Sequence, residues 1–266
     1  QIKDNTATKI ALANAQFLLN DLKESKHTYT NLLNQKLSNY ERILVLEGLG
    51  DVDFSSKKYN TAKTYYKESL KLAKESLVTA KITDLNSKLA TVFASEGNVA
   101  KANIQFKNSL NLAAKENINR ALEEEEKVAD FYNSNRLFDD EIKLRKESLI
   151  KAESNKTSQK KFNLESDSIT SQKINYKIGN AYILKEDYKN AIPFLEKSKK
   201  DADEKKDITI EKDATRKLSE VYATVGEYDK ALKSYQDYVK LVDAAYIQKE
   251  QEIQQDEIDE TSNISI

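Results

Sequence analysis

The stretch Lys177–Ser198, KIGNAYILKEDYKNAIPFLEKS, decides the fold, because its pattern returns four more times along the chain. The other copies are LEGLGDVDFSSKKYNTAKTYYKESL (Leu46–Leu70), KLATVFASEGNVAKANIQFKNSL (Lys88–Leu110), KVADFYNSNRLFDDEIKLRKESL (Lys127–Leu149) and KLSEVYATVGEYDKALKSYQDYV (Lys217–Val239). A column of small residues runs through Ala62, Ala102, Ala191 and Ala231, with Glu141 in its place in the Lys127 copy. Upstream of it sits a large–small pair, as in Leu49-Gly50, Leu89-Ala90, Val128-Ala129, Ile178-Gly179 and Leu218-Ser219. An aromatic follows at Phe93, Tyr132, Tyr182 and Tyr222, and a ring or long apolar residue comes after the small column at Tyr66, Phe106, Leu195 and Tyr235. Spacings of three and four residues place each set on one face of a helix. Gly97 and Gly226 fall between two such helices, where a residue tolerant of positive φ is useful. Self-similarity at a period of about 40 residues means stacked helix hairpins, none of which can bury its apolar face alone.

Composition agrees with this reading. The chain is 33% charged and 39% hydrophobic, with five glycines and one proline in 266 residues, which favours helices over a β-rich fold. That proline, Pro193, lies near the start of a second helix, where its missing N–H costs little. A degenerate further copy at the N-terminus uses Leu12-Ala13, Leu22, Ser25 and Tyr29. The expected fold is all-α: a right-handed superhelical solenoid of about six helix-turn-helix repeats with a C-terminal capping helix. The repeats fall near 6–42, 43–82, 83–121, 122–160, 172–211 and 212–240, making 1–240 the solenoid, 241–260 a capping or connecting helix and 261–266 a disordered tail. The copies at Glu141 and Ala191 stand ten residues further apart than the rest, and the surplus falls in Ser154–Gln172, as a longer loop or an extended helix end.

The columns resemble those of the tetratricopeptide repeat family: a large–small pair and an aromatic on helix A, a small residue on helix B. The period of about 40 exceeds that family's 34, and the family's Trp and the Pro closing its helix B are absent here. The resemblance implies a protein- or peptide-binding module whose ligand lies on the inner face of the A helices. Those places are Leu44, Glu47, Asp51 and Phe54, then Asp84, Ser87 and Thr91, then Glu123, Glu126, Asp130 and Asn133. They continue with Lys173, Tyr176, Asn180 and Ile183, and end with Asp213, Arg216 and Glu220. Partner contacts are expected from Phe54, Asp130, Asn133, Tyr176, Asn180 and Arg216, on a surface acidic at its middle. Asn and Tyr suit hydrogen bonds to an extended peptide backbone. The family's clamp for chaperone C-terminal carboxylates is incomplete, because Ile10 and Tyr176 stand four residues before Asn14 and Asn180 where a Lys is required.

Catalytic and metal sites are not expected. The single histidine, His27, lies in a lysine-rich stretch without partner ligands, and there is no cysteine. No phosphate-binding glycine loop, zinc-helix motif or nucleophile elbow occurs. The carboxylates Glu123–Glu126 point in four directions around a helix and read as a solvated face. A formal net charge of −1 with dispersed lysines argues against nucleic acid, and no apolar run is long enough to span a membrane. No catalytic, cofactor or metal residues are therefore assigned. The chain begins at Gln1 rather than Met, as expected of a processed or trimmed product.

The last copy and its continuation, YDKALKSYQDYVKLVDAAYIQKEQEI (Tyr228–Ile253), are similar to the close of the tetratricopeptide sensor region of Bacteroidetes membrane histidine kinases. That resemblance implies an extracytoplasmic, periplasmic sensor of a two-component receptor, with a kinase C-terminal to it; the alternative is a free-standing scaffold that assembles protein partners. Beyond Leu241, Val242, Ala245, Tyr246 and Ile253 are too few for a strong heptad, so only weak homodimerisation is expected.

Overall fold

A computed structural model describes residues 5–159 and 169–264. Among them are twelve helices and no strand. They are α1 (Thr6–Leu18), α2 (Leu22–Leu33), α3 (Asn39–Ser55), α4 (Tyr59–Glu75), α5 (Thr79–Ser95) and α6 (Val99–Glu116). The rest are α7 (Ile118–Ser134), α8 (Phe138–Gln159), α9 (Ser171–Leu184), α10 (Tyr188–Lys205), α11 (Ile208–Thr224) and α12 (Tyr228–Ile264). Consecutive helices pair as six A/B hairpins, an all-α repeat solenoid. The chain divides into two compact units at Glu124, inside α7.

The first unit holds the hairpins α1/α2, α3/α4 and α5/α6. Its core is Ala13, Tyr29, Leu32, Val45, Leu49 and Val52 in one cluster and Ile43, Ala62, Tyr66, Leu85, Leu89 and Val92 in the next. In the second unit Ala191, Leu195, Leu218, Val221, Tyr222 and Ala231 form the corresponding cluster. The small column is buried in both, at Ala62, Ala102, Ala191 and Ala231, and Ser25 fills it in the first hairpin. Seven residues after the small column a buried serine recurs at Ser69, Ser109, Ser148 and Ser198. Ser69 and Ser198 donate to the carbonyls of Ile43 and Gln172, 3.0 and 2.8 Å away, tying helix B to the start of helix A.

Each A-to-B turn is made the same way. One residue adopts the left-handed conformation, and the next N–H reaches back to a carbonyl five residues earlier, as Asn98 does to Phe93 (2.8 Å) and Glu227 to Tyr222 (2.8 Å). Gly97 (φ 76°) and Gly226 (φ 84°) take that place as expected. The other turns use Asn20, Lys57, Arg136 and Glu186, L-residues held near φ 60°. Asp21, Asn98 and Asp187 then cap the following helix through their side chains.

The segment 241–260, expected as a capping or connecting helix, is helical and continuous with the last helix B: α12 is one helix of 37 residues, and past Val239 only Leu241 and Ala245 are half-buried among the described residues. It does not fold back, because no Gly or Pro interrupts the sequence after Gly226. For the same reason the segment 261–266, expected as a disordered tail, is helical to Ile264; residues 265–266 lie outside the described part. Part of the surplus in Ser154–Gln172 lengthens α8 to 22 residues, against 17 in α4 and 18 in α10, while residues 160–168 lie outside the described part.

A methyl group on Gly179 would sit 2.7 Å from Leu195 Cδ2 and 3.5 Å from the Ala191 carbonyl, and Ala191 is fully buried, so α9 and α10 cross closely at this pair. Ala191→Leu is therefore expected to overpack this crossing and destabilise the chain by about 1–3 kcal/mol, read as a lowered urea midpoint with unchanged slope.

Candidate functional site

Four of the six expected contact residues come together in the second unit. Asp130 and Asn133 of α7 and Tyr176 and Asn180 of α9 line one groove of about 330 Å³, with Glu141 and Arg145 of α8, Lys177, Ile183, Leu184 and Lys217. Its floor is a buried ion cluster. Arg145, 2% exposed, donates from Nε to Glu141 (2.8 Å), from Nη1 to Glu126 (2.7 Å) and from Nη2 to Asp130 (2.7 Å). Lys177 also pairs with Glu126, and with Asp130 at 3.1 Å. Asn133 donates its amide to Glu141 at 2.8 Å.

The cluster arises from a change in the repeat columns. Glu141 stands where four of the other repeats bury an alanine and the first buries Ser25, and Arg145 stands where three of them bury Tyr66, Phe106 or Leu195. On successive turns of α8 the two meet as an i,i+4 pair. Burial works against the Arg145 charge, but Glu126, with Glu141 and Asp130, outweighs it and holds the guanidinium pKa above its ordinary value. The acidic middle expected from Glu126 and Asp130 is thus internally compensated by Arg145 and Lys177. The repeat columns alone do not single out Arg145, although an arginine in an apolar column is a readable signal.

The walls are different. Asn180 is half-buried and its side chain makes no hydrogen bond among the described residues. Beside it Tyr176 leans on the Ala191–Leu195 core, and Leu184 is 50% exposed. The groove therefore offers a free amide and apolar surface over an ion-paired floor. The remaining two expected residues lie elsewhere. Arg216 pairs with Glu220 on its own helix at 2.9 Å, and the next residue, Lys217, reaches the groove instead. Phe54 belongs to the first unit, where it packs on Tyr59 with ring centroids 5.8 Å apart, closing the α3/α4 turn.

The first unit has a groove of its own, about 720 Å³, lined among others by Ile10, Asn14, Tyr29, Tyr40, Leu44, Glu47 and Asp51. Its carboxylates are also consumed by the next A helix. Glu47 pairs with Lys81 (2.7 Å) and Lys88 (2.9 Å), and Asp51 with Lys88 (2.7 Å). Burial opposes ionisation of Glu47, yet Lys88 and Lys81 prevail and hold its pKa below the usual glutamate value.

Comparison with known proteins places these grooves in context. The sequence pattern described as "Tetratricopeptide repeat" matches residues 172–200, which is α9 and most of α10. A search of the curated proteins returns no match. Among solved structures, the chain is similar to a signal transduction ATPase with numerous domains and a tetratricopeptide repeat sensor from Pyrococcus horikoshii. The TM-score is 0.67 at 12% identity, over 92% of this chain and 38% of that one. The apo form of RapI matches with a TM-score of 0.60 at 13% identity, over 92% of this chain and 99% of that one. A Rap protein complexed with competence and sporulation factor matches with a TM-score of 0.51 at 16% identity, over 90% and 66%. At these identities the likeness is one of fold.

Arg145→Met is expected to cost about 3–5 kcal/mol by leaving Glu141 buried and unpaired, whereas Glu141→Ala with Arg145→Leu restores the apolar columns and regains that loss or more. Denaturant melts of both variants check it. Because Glu47 ionises more readily folded than unfolded, its pairs contribute stability above the ordinary glutamate pKa that is lost as pH falls through and below it. Melting temperature should fall between about pH 5 and pH 3, and by less in Glu47→Gln.

Proposed function

We propose that the chain is a non-catalytic module that binds an extended peptide or a protein segment, and that the α7–α9 groove is its working surface. The observation that carries this is Asn180: a half-buried amide without a partner among the described residues, next to Tyr176, Ile183 and exposed Leu184. An amide donates and accepts at once, which matches a peptide backbone, and adjacent apolar surface gives a side chain a place to settle. The ion cluster below is satisfied without ligand, so the groove is preformed and little ordering opposes binding. The bound factor in the Rap complex supports the same use of this architecture.

Two settings fit this module. In the first it is the periplasmic sensor of a two-component receptor, with α12 leading toward a membrane helix and kinase; the support is the resemblance over Tyr228–Ile253. In the second it is a free-standing scaffold, a reading favoured by the exposed apolar residues along α12. The coding sequence upstream of Gln1 and downstream of Ile266 separates them: a signal peptide with a kinase, or neither.

Selection of a random displayed 12-residue peptide library on the immobilised chain should enrich binders that lose roughly tenfold or more in affinity, about 1.4 kcal/mol, for Tyr176→Ala with Asn180→Ala. Selected peptides that bind the double variant equally well place the binding surface elsewhere.

A further inference from the structure

A terminal repeat of a solenoid needs a polar outer face, because no further repeat covers it. The last hairpin lacks one. Along α12 the residues Tyr228, Leu232, Tyr235, Val239, Val242 and Tyr246 are 72%, 59%, 55%, 42%, 38% and 64% exposed. These include the places that, one repeat earlier, carry Leu195 and Ala202 of α10, both fully buried beneath α11. The α12 surface is thus built like an internal helix B whose next helix A is missing. The described chain supplies no cover, since α12 runs on for 37 residues without turning back.

The six side chains succeed one another at spacings of four, three, four, three and four, the period of 3.5 that keeps a seam facing a partner helix lying alongside. We propose that this seam pairs with the same seam of a second copy of the chain, with the two α12 helices antiparallel and the two-fold axis crossing the seam midway between Tyr235 and Val239. The spacing reads the same in both directions, so the two-fold sets Tyr228 against Tyr246, Leu232 against Val242 and Tyr235 against Val239 of the second copy. Each residue meets one of the complementary heptad position, as an isologous interface requires. About a quarter of a turn around α12 from the seam, Ala231 and Ser234 are already buried against α11, so the seam is the neighbouring face left uncovered.

Charge favours the antiparallel direction. A parallel pair in register sets Lys249, the next seam position, against itself. The antiparallel pair instead carries Lys249 past the N-terminal end of the second copy's α12 at Tyr228, away from its own counterpart. One like-charged approach remains, Asp229 toward Asp243 at the rim, where such pairs weigh little. The six side chains expose on the order of 700 Å² per copy, close to the ~800 Å² per partner of a stable interface once flanking polar groups are added.

Sedimentation equilibrium of the full chain at tens of micromolar should give a dimer. Leu232→Glu with Val239→Glu should raise the dissociation constant at least a hundredfold with unchanged far-ultraviolet circular dichroism, and Tyr235→Ala with Tyr246→Ala should do the same more mildly. A monomeric wild type at that concentration, or variants that stay folded and dimeric, overturns the proposal. Direction is read separately, because the chain has no cysteine. Mixed, differently tagged Leu232→Cys and Val242→Cys chains should oxidise to a disulfide-linked heterodimer. Disulfides formed only between identical chains overturn the antiparallel pairing.

Discussion

The closeness with which helix A and helix B of one hairpin can approach sets most of what this chain does. At Gly179 an added methyl would run into the Leu195 side chain, and at Gly50 into the Tyr66 ring. Close crossings bring the backbones near enough for Ser69 and Ser198 to bond main-chain carbonyls of the paired helix. They also force the larger side chains of helix B outward, onto the next helix A, where Leu195 meets Leu218. Packing within a repeat thereby dictates packing between repeats, which is why the columns recur with so little variation.

The groove in the second unit exists because one repeat breaks that rule. With Glu141 and Arg145 in place of a small and a bulky apolar residue, α8 presents charge where its neighbours present hydrocarbon. Charge at that depth requires partners, and Glu126, Asp130, Asn133 and Lys177 supply them from α7 and α9. A fully satisfied network of this kind fixes side-chain positions more tightly than apolar packing and leaves Asn180 as the polar group with capacity to spare. The same substitution that costs hydrophobic burial organises the surface proposed to bind.

What can be read from the sequence is whatever repeats. The hairpins follow from Ala62, Ala102, Ala191 and Ala231, and the positive-φ turns at Gly97 and Gly226 follow from residue type. The equivalent turns at Lys57, Arg136 and Glu186 carry no such mark, because tertiary packing holds ordinary residues there. Inner-face positions are also legible, which is why Asp130, Asn133, Tyr176 and Asn180 meet in one groove. Their electrostatics are not: Lys88 and Lys177 neutralise carboxylates 37 and 51 residues earlier, pairs that exist only once the hairpins stack. Phe54 is misleading because an aromatic one place late on helix A closes the turn onto Tyr59 rather than lining a surface.

The outer face of α12 shows how element boundaries bias a reading. Divided at Val239 into a last repeat and a cap, the helix shows a handful of apolar residues on each side of the division. Taken as the single helix it is, Tyr228 through Tyr246 form an unbroken seam. The direction of pairing along that seam bears on biological setting. An antiparallel pair sends the two C-terminal ends of α12 apart, whereas a receptor anchored through the C-terminal end of α12 needs both ends to leave on the same side. Were the seam to pair in this direction, it would suit a dimeric scaffold carrying two peptide grooves better than a receptor anchored through that end of α12. In such a dimer the two grooves are joined by the shared helices, and a partner presenting two copies of the bound segment gains from their effective concentration without any new contact.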